Sequence, residues 1–306
     1  MNLDFSDIKV LLIGDFMIDY YLMGNSNRMS PEAPVPVVML ENEYFIPGGA
    51  GNVAMNLSKM GSKVTCMGVV GKDIYGEKLL QILNSNNVNT ENVEVLENHT
   101  TTLKQRIYSN GVQIARVDNE KLLYWSPKVL EKINYTDYDI IILSDYNKGA
   151  LMLPWFIKPK GINVVLDPKN KSWDHLFMHS NIITPNLNEL EVLSEISISG
   201  NDSIITACNK LIEKNDFDYI VAKKGDRGIT IVGKQKFIKH LEPYSVVNPD
   251  VTGAGDTVIA AFSIAYAKTQ DVEFSSKFAN AAAATVVGKI GTATANIKEI
   301  EELFFK

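Results

Sequence analysis

Cysteine is almost absent from this chain: Cys66 and Cys208 are the two in 306 residues. Neither stands at metal-ligand spacing, so a disulfide framework and a zinc module are excluded, and both read as buried free thiols in a reducing compartment. Histidine is nearly as scarce, and His99, His175, His179 and His240 form no metal or triad pattern. Long apolar runs are also missing. The first one, around residues 10–13, follows two acids, Asp4 and Asp7, with no basic leader, and is too short for a signal peptide or a membrane span. A cytoplasmic protein is expected. Positive charge is in deficit, with 30 Lys and Arg against 36 Asp and Glu, so neither nucleic acid nor an anionic membrane is attracted globally. Any anionic ligand must be held by local cations.

What is present is a rhythm. Short apolar runs rich in β-branched residues recur at 10–13, 64–70, 140–143, 164–166, 182–183, 219–222 and 229–232. Several are continuous rather than alternating, as strands buried on both faces are. Helical patterns separate them at 50–60, 74–86, 187–194, 204–214, 256–268 and 274–289. Strand and helix in alternation imply an α/β sandwich around a mostly parallel sheet.

Two segments break that rhythm. Residues 20–45 hold several prolines and glycines and the alternating stretch 34–40, and residues 100–118 read as a hairpin about Ser109-Asn110-Gly111. Both suggest antiparallel strands outside the main sheet, a small β-sheet lid over the active edge. With no repeat, low-complexity tract or linker, residues 1–306 are read as one domain carrying this lid.

The most informative stretch is Asp250-Val-Thr-Gly-Ala-Gly-Asp256-Thr, which runs directly into a small-residue helix. Two glycines and an alanine leave backbone N–H groups uncovered at a helix N-terminus, where orphan donors and the helix dipole both favour an anion. A carboxylate in that first turn either caps the helix or takes a proton from a hydroxyl that attacks a phosphate. A second Gly-rich element, Pro47-Gly48-Gly49-Ala50-Gly51-Asn52, opens the helix of 50–60. It matches neither the dinucleotide fingerprint nor the P-loop.

In doubly wound sheets ligands collect at the carboxyl ends of strands. The residues that follow the strand runs here are Gly14, Asp15 and Asp19; Ser144 to Gly149; Asp167, Pro168 and Lys169; Thr184 to Glu189; and Lys223, Lys224 and Gly225 with Gly228. Charged and glycine residues cluster at these ends beyond what turn chemistry requires.

These motifs identify the chain as a member of the ribokinase-like (PfkB) carbohydrate kinase family over essentially its whole length. Gly48-Gly-Ala-Gly-Asn52-Val-Ala54, with Gly61 and Gly71, resembles one family signature, and Asp250-Val-Thr-Gly-Ala-Gly-Asp256 the other. The resemblance implies a ribokinase-like three-layer sandwich with a lid. Gly14-Asp-Phe-Met-Ile-Asp19, Arg28-Met-Ser-Pro-Glu-Ala-Pro-Val-Pro-Val38, Ser144-Asp-Tyr-Asn-Lys-Gly-Ala-Leu151, Asp167-Pro-Lys169, Thr184-Pro-Asn-Leu-Asn-Glu189 and Asn280-Ala-Ala-Ala-Ala are similar to kinases of D-glycero-β-D-manno-heptose 7-phosphate. That narrower resemblance implies ATP-dependent phosphorylation of the anomeric hydroxyl to the 1,7-bisphosphate, a step towards ADP-heptose for lipopolysaccharide core. Such kinases are often fused to a C-terminal nucleotidyltransferase. Here the sequence stops at Lys306, and a separate protein is expected to supply that activity.

By the same resemblance Asp256 is the base and the N–H groups of Gly253, Ala254 and Gly255 form the anion hole. Asn186 and Glu189 organise Mg²⁺, Glu189 through water, together with the nucleotide phosphates. Lys223, Gly225 and Gly228 resemble the nucleotide edge, and Asn280 and Ala283 flank the adenine. Gly48 and Gly49 border the sugar, and Asp19, Asn52 and Asp145 read its hydroxyls. A substrate phosphate needs a cation, and Lys104, Arg106, Arg28, Lys148 and Lys169 are the candidates. The planar fork of Arg106 favours it. Another phosphorylated sugar, or a silent binding protein, is the alternative. A homodimer through the lid strands is expected.

Overall fold

The computed structural model describes residues 3–169, 174–246, 250–289 and 293–305. The chain opens with β1 (Lys9–Gly14), passes into β2 (Phe16–Asn25) and β3 (Met39–Gly49), and then forms α1 (Ala50–Lys59). There follow β4 (Lys63–Gly71), α2 (Ile74–Ser85), β5 (Val88–Leu96), and the hairpin β6 (Thr102–Ser109) and β7 (Val112–Asn119). Next come β8 (Ile140–Ser144), β9 (Asn163–Asp167), α3 (Asp174–Met178), β10 (Ile182–Ile183), α4 (Leu187–Ser194) and α5 (Asn201–Asn215). The chain finishes with β11 (Tyr219–Lys223), β12 (Ile229–Gly233), β13 (Phe237–Leu241), α6 (Ala254–Thr269), α7 (Val272–Val287) and α8 (Ile297–Phe304).

Nine strands make one sheet in the order β13-β12-β11-β10-β9-β8-β1-β4-β5. Pairing from β11 through to β5 is parallel, and β12 and β13 add antiparallel. The continuous apolar runs are explained by burial on both faces. Val10, Leu12, Ile140, Ile142 and Val165 enter a core with α1, α6, α7 and α8. Their neighbours Leu11, Ile13, Ile141, Leu143 and Val164 enter a second core with α4 and α5. Successive side chains along a strand point to opposite faces, so the central strands fill two cores and the result is three layers. This is the expected sandwich.

The lid is a separate four-stranded sheet, β3-β2-β6-β7. Its hairpin turn falls where expected, with Asn110 at φ 52° and Gly111 at φ 79°, the doubly left-handed pair of a type I′ turn. The first lid segment differs from expectation. β2 starts at Phe16, one residue past β1, and β3 starts only at Met39. The alternating stretch 34–38 makes just an isolated bridge, Met29 to Pro36, because its prolines lack the N–H a ladder needs. Strands β5 and β13 and helices α3 and α8 escape the sequence reading. β5 (VNTENVEVL) and β13 (FIKHL) are polar edge strands without a continuous apolar run.

Both cysteines are buried and free, as expected. Among the described residues no helix is long and apolar enough to cross a membrane.

Candidate active site

Register brings the site together. Gly14 pairs with Ser144 and Ser144 with Asp167, so β1, β8 and β9 end level, and Asp15, Asp145 and Asp167 share one edge of the sheet. Asp15, only 3% exposed, is a hub there. Its carboxylate accepts the backbone N–H groups of Tyr146 (2.8 Å), Lys148 (3.0 Å) and Ala150 (2.9 Å), and its carbonyl oxygen accepts the N–H of Ala50 at 3.0 Å. Burial raises its carboxyl pKa against the pull of those donors.

Helix α6 starts from Gly253 in the left-handed region, φ 77°, a conformation glycine adopts without the Cβ penalty. This turn delivers Asp256 into the interior at 6% exposure. One carboxylate oxygen accepts the Asn52 amide at 2.8 Å, and the other accepts the Tyr146 hydroxyl. Burial pushes the Asp256 carboxyl up to about 6; the Tyr146 and Asn52 donors oppose the shift, and nearby Asp167 adds to it. Burial, then the Asp256 charge, pushes the Tyr146 phenol well above its ordinary range. Behind them Thr257 donates to Asn56 at 3.1 Å, and Asn56 donates to the Asn52 side chain at 3.2 Å. A buried polar ladder, every member satisfied, thus locks α1 to α6.

A cavity of about 700 Å³ opens beside Asp256. Pro243, Val246, Val251, Ala283, Ala284 and Val287 give it an apolar wall, and Gly253 to Asp256, Lys169, Lys223, Asn186 and Glu189 give it a polar end. The mixture is that of a small-molecule site. At the polar end Lys223 pairs with Asp167 at 2.6 Å, and Thr184 donates to the same oxygen at 2.9 Å. The N–H of Lys223 reaches the carbonyl oxygen of Pro185 at 2.8 Å, which places Lys223 beside Asn186. Asn186 and Glu189 close a capping box on α4, at 2.8 Å and 2.9 Å, with Glu189 buried rather than solvated. Lys169 donates to Glu189 at 3.1 Å and lies 4.4 Å from the Tyr146 ring centroid. Burial works against the Lys169 charge, but Asp167 and Glu189 outweigh it and hold the ammonium above its ordinary value.

All of the residues expected at the base, the anion hole and the nucleotide line this cavity: Gly253, Ala254, Gly255, Asp256, Asn186, Glu189, Lys223, Gly225, Gly228, Asn280 and Ala283. Ala254 differs from its expected role, because its N–H already donates to the carbonyl oxygen of Val251 at 3.2 Å. Of the residues expected at the sugar, Lys169 lines the cavity, and the others lie outside its lining. Asp19 and Arg106 form an ion pair across β2 and β6 at 2.5 Å, both largely buried, with the guanidinium 5.3 Å from the Tyr21 ring centroid. Gly48 sits against them: a Cβ there would lie 3.0 Å from the Asp19 carboxylate. Gly49 is the residue before α1.

Four expected sugar contacts are engaged elsewhere. The Asn52 amide is on the base. Lys104 pairs with Glu120 at 3.2 Å, and Lys148 bonds the other oxygen of that carboxylate. Asp145 accepts the N–H of Asn147 at 2.8 Å and shapes its own turn. Arg28 is exposed on the loop between β2 and β3. The sequence reading assigned no role to Tyr146, Asp15 or Asp167. All three stand at strand ends, a signal that marked them as ligand-facing positions without giving any of them a part.

The fold and this constellation define a sugar kinase. Residues 7–299 match the pfkB family of carbohydrate kinases, and the chain belongs to that family. It is 37% identical to the Bifunctional protein HldE of Sulfurimonas denitrificans over 96% of its own length and 64% of the relative's. Against HldE of Helicobacter pylori (strain 26695) it is 36% identical, covering 95% of this chain and 66% of the relative. The chain therefore spans about two thirds of the curated relatives it matches. Among solved structures, Arabidopsis thaliana ribokinase with ribose and ATP superposes with a TM-score of 0.80 at 20% identity, covering 97% of this chain and 98% of that one. Escherichia coli phosphofructokinase-2 with substrates and products gives 0.78 at 18%, over 97% and 98%. At these identities the likeness is one of fold.

Proposed function

We propose that this chain phosphorylates D-glycero-β-D-manno-heptose 7-phosphate at its anomeric hydroxyl with ATP, giving the 1,7-bisphosphate. The observation that carries the reading is the place of Asp256: a buried carboxylate lining the polar end of a nucleotide-sized cavity and held by Asn52 of α1, the helix that directly follows lid strand β3. Similarity to the HldE proteins supports the heptose as acceptor.

In this reading Asp256 accepts the proton of the anomeric hydroxyl as its oxygen attacks the γ-phosphorus and ADP departs. A carboxyl with a pKa near 6 is about ten to one ionised at pH 7, and so is ready to accept. The N–H groups at Gly253 and Gly255 face the transferring phosphate, and Lys223 adds charge there; a Cβ on Gly255 would lie 3.4 Å from its Nζ. The apolar wall with Ala283 and Asn280 takes the adenine. Arg106 takes the sugar phosphate, with Asp19 and Gly48 beside it.

Magnesium would be held at Asn186 and Glu189. Both oxygens of Glu189 already accept hydrogen bonds, so the residues fit a hydrated ion contacted through water and bound mainly by nucleotide phosphates. Bound there, the ion would supply positive charge to offset that of the transferring group. The reading also includes a homodimer through the lid, whose β7 is exposed along its length, and a nucleotidyltransferase that acts downstream in the pathway.

The test is an ATP-consumption assay across heptose, hexose and pentose phosphates and their unphosphorylated forms. The heptose 7-phosphate is expected to give the highest kcat/KM. A preferred hexose or pentose phosphate would move the acceptor within the family, and no turnover with any sugar would favour a silent binding protein.

A further inference from the structure

We propose that Tyr146 is a positioning residue for the base: its hydroxyl holds one oxygen of Asp256 while Asn52 holds the other, fixing the plane of the carboxylate beside the cavity. The proposal rests on Asp256 being the base.

The terminal torsion of an aspartate is broad and roughly two-fold, so a carboxylate with one donor can still swing. Here each oxygen has its own donor, and the donors arrive from different elements. Asn52 comes from α1 at 2.8 Å, and Tyr146 from the loop after β8. That loop is itself held by Asp15, through the N–H groups of Tyr146, Lys148 and Ala150. The phenol thus reaches Asp256 from a rigid base at the end of the central strand.

Packing alone does not require the hydroxyl. A phenylalanine would fill the same ring volume without burying a polar atom, and a hydroxyl withdrawn from water costs free energy unless it is bonded. Its partner is the carboxylate. The ring face meets the Lys169 ammonium at 4.4 Å, and Lys169 pairs with Glu189 at 3.1 Å, so the same side chain touches the nucleotide end. The charged and titratable groups facing Asp256 are Tyr146, Asp167 and Lys169, with Lys223 paired to Asp167. Of these Tyr146 alone bonds the carboxylate.

Removing a donor to a carboxylate raises its pKa. Tyr146→Phe is expected to lower kcat by about 10- to 100-fold, to leave KM for ATP within about twofold, and to move the acid limb of the kcat–pH profile up by about one unit. The melting temperature should change little. Incorporating 3-fluorotyrosine at position 146 keeps the ring and makes the phenol a stronger donor, so the acid limb should move down. If Tyr146→Phe does not fold, the fluorotyrosine enzyme decides alone. An acid limb that stays in place in either protein, or a kcat loss matched by equal losses in ATP affinity and melting temperature, overturns the proposal. Wild-type protein inactive on every sugar would instead refute the base reading on which it rests.

Discussion

Replacing Arg106 with alanine separates the two tasks of the lid ion pair. Arg106 and Asp19 are 13% and 7% exposed at their side chains and 2.5 Å apart, so this pair is largely, though not fully, withdrawn from water. Removing one partner of such a pair leaves an uncompensated charge and typically costs about 3–5 kcal/mol. Asp19 has a way to limit that loss. Burial already raises its carboxyl against the pull of Arg106 and Lys104, and without the guanidinium it rises further and takes up a proton. A carboxyl raised above its unfolded value adds stability at low pH, and that stability is lost as pH rises through the folded pKa. The Arg106→Ala protein should therefore lie closer to wild type in stability at pH 5 than at pH 8, read as the difference in chemical-denaturation midpoints at the two values. In kinetics it should raise KM for the phosphorylated sugar far more than KM for ATP, by at least about tenfold if one charge-assisted contact is lost. A stability gap that does not depend on pH would refute the charge argument, and equal KM effects on both substrates would refute the clamp.

Asp256→Asn should lower kcat by about a hundred- to ten-thousandfold, the usual worth of a general base, while calorimetry still detects ATP and sugar binding. Near-normal turnover would remove Asp256 from the mechanism. In wild-type enzyme kcat should fall as pH drops through about 6, because the raised Asp256 carboxyl must be ionised to accept a proton. A flat profile from pH 5 to 8 would contradict that. Glu189→Gln should weaken ATP binding in magnesium more than in its absence, with a small stability loss of about 1 kcal/mol from the disturbed capping box. An equal weakening in both conditions would confine Glu189 to capping.

Much of the architecture was legible because burial on both faces writes itself as unbroken apolar runs, as in Val10 to Ile13 and Ile140 to Leu143. Strands β5 and β13 were not, since an edge strand half in water carries Asn, Glu and Lys like any loop. The prolines of 34–38 imitated strand alternation without the donors to make a ladder. In the site, Gly253 to Asp256 stood out because N–H groups left uncovered for an anion share one helix turn with a carboxylate that would repel it. Tyr146 did not, because its partner Asp256 is 110 positions away, and no local period encodes a contact of that range. The charges of Lys104 and Lys148 were visible, but Glu120, which draws both towards one carboxylate, is an ordinary acid until the chain is folded.

Asp15 gives the site a common datum. Its carbonyl oxygen receives the first N–H of α1, the helix that carries Asn52, and its carboxylate receives the N–H of Tyr146. Both donors to Asp256 are therefore surveyed from one residue, and a displacement of that residue carries them along together. The next residue, Phe16, already belongs to the lid. The lid thus joins the main sheet one residue from the reference mark of the base, while its far end, where the Asn110 N–H meets the Gly24 carbonyl oxygen, is the part of β2 most distant from it along the strand.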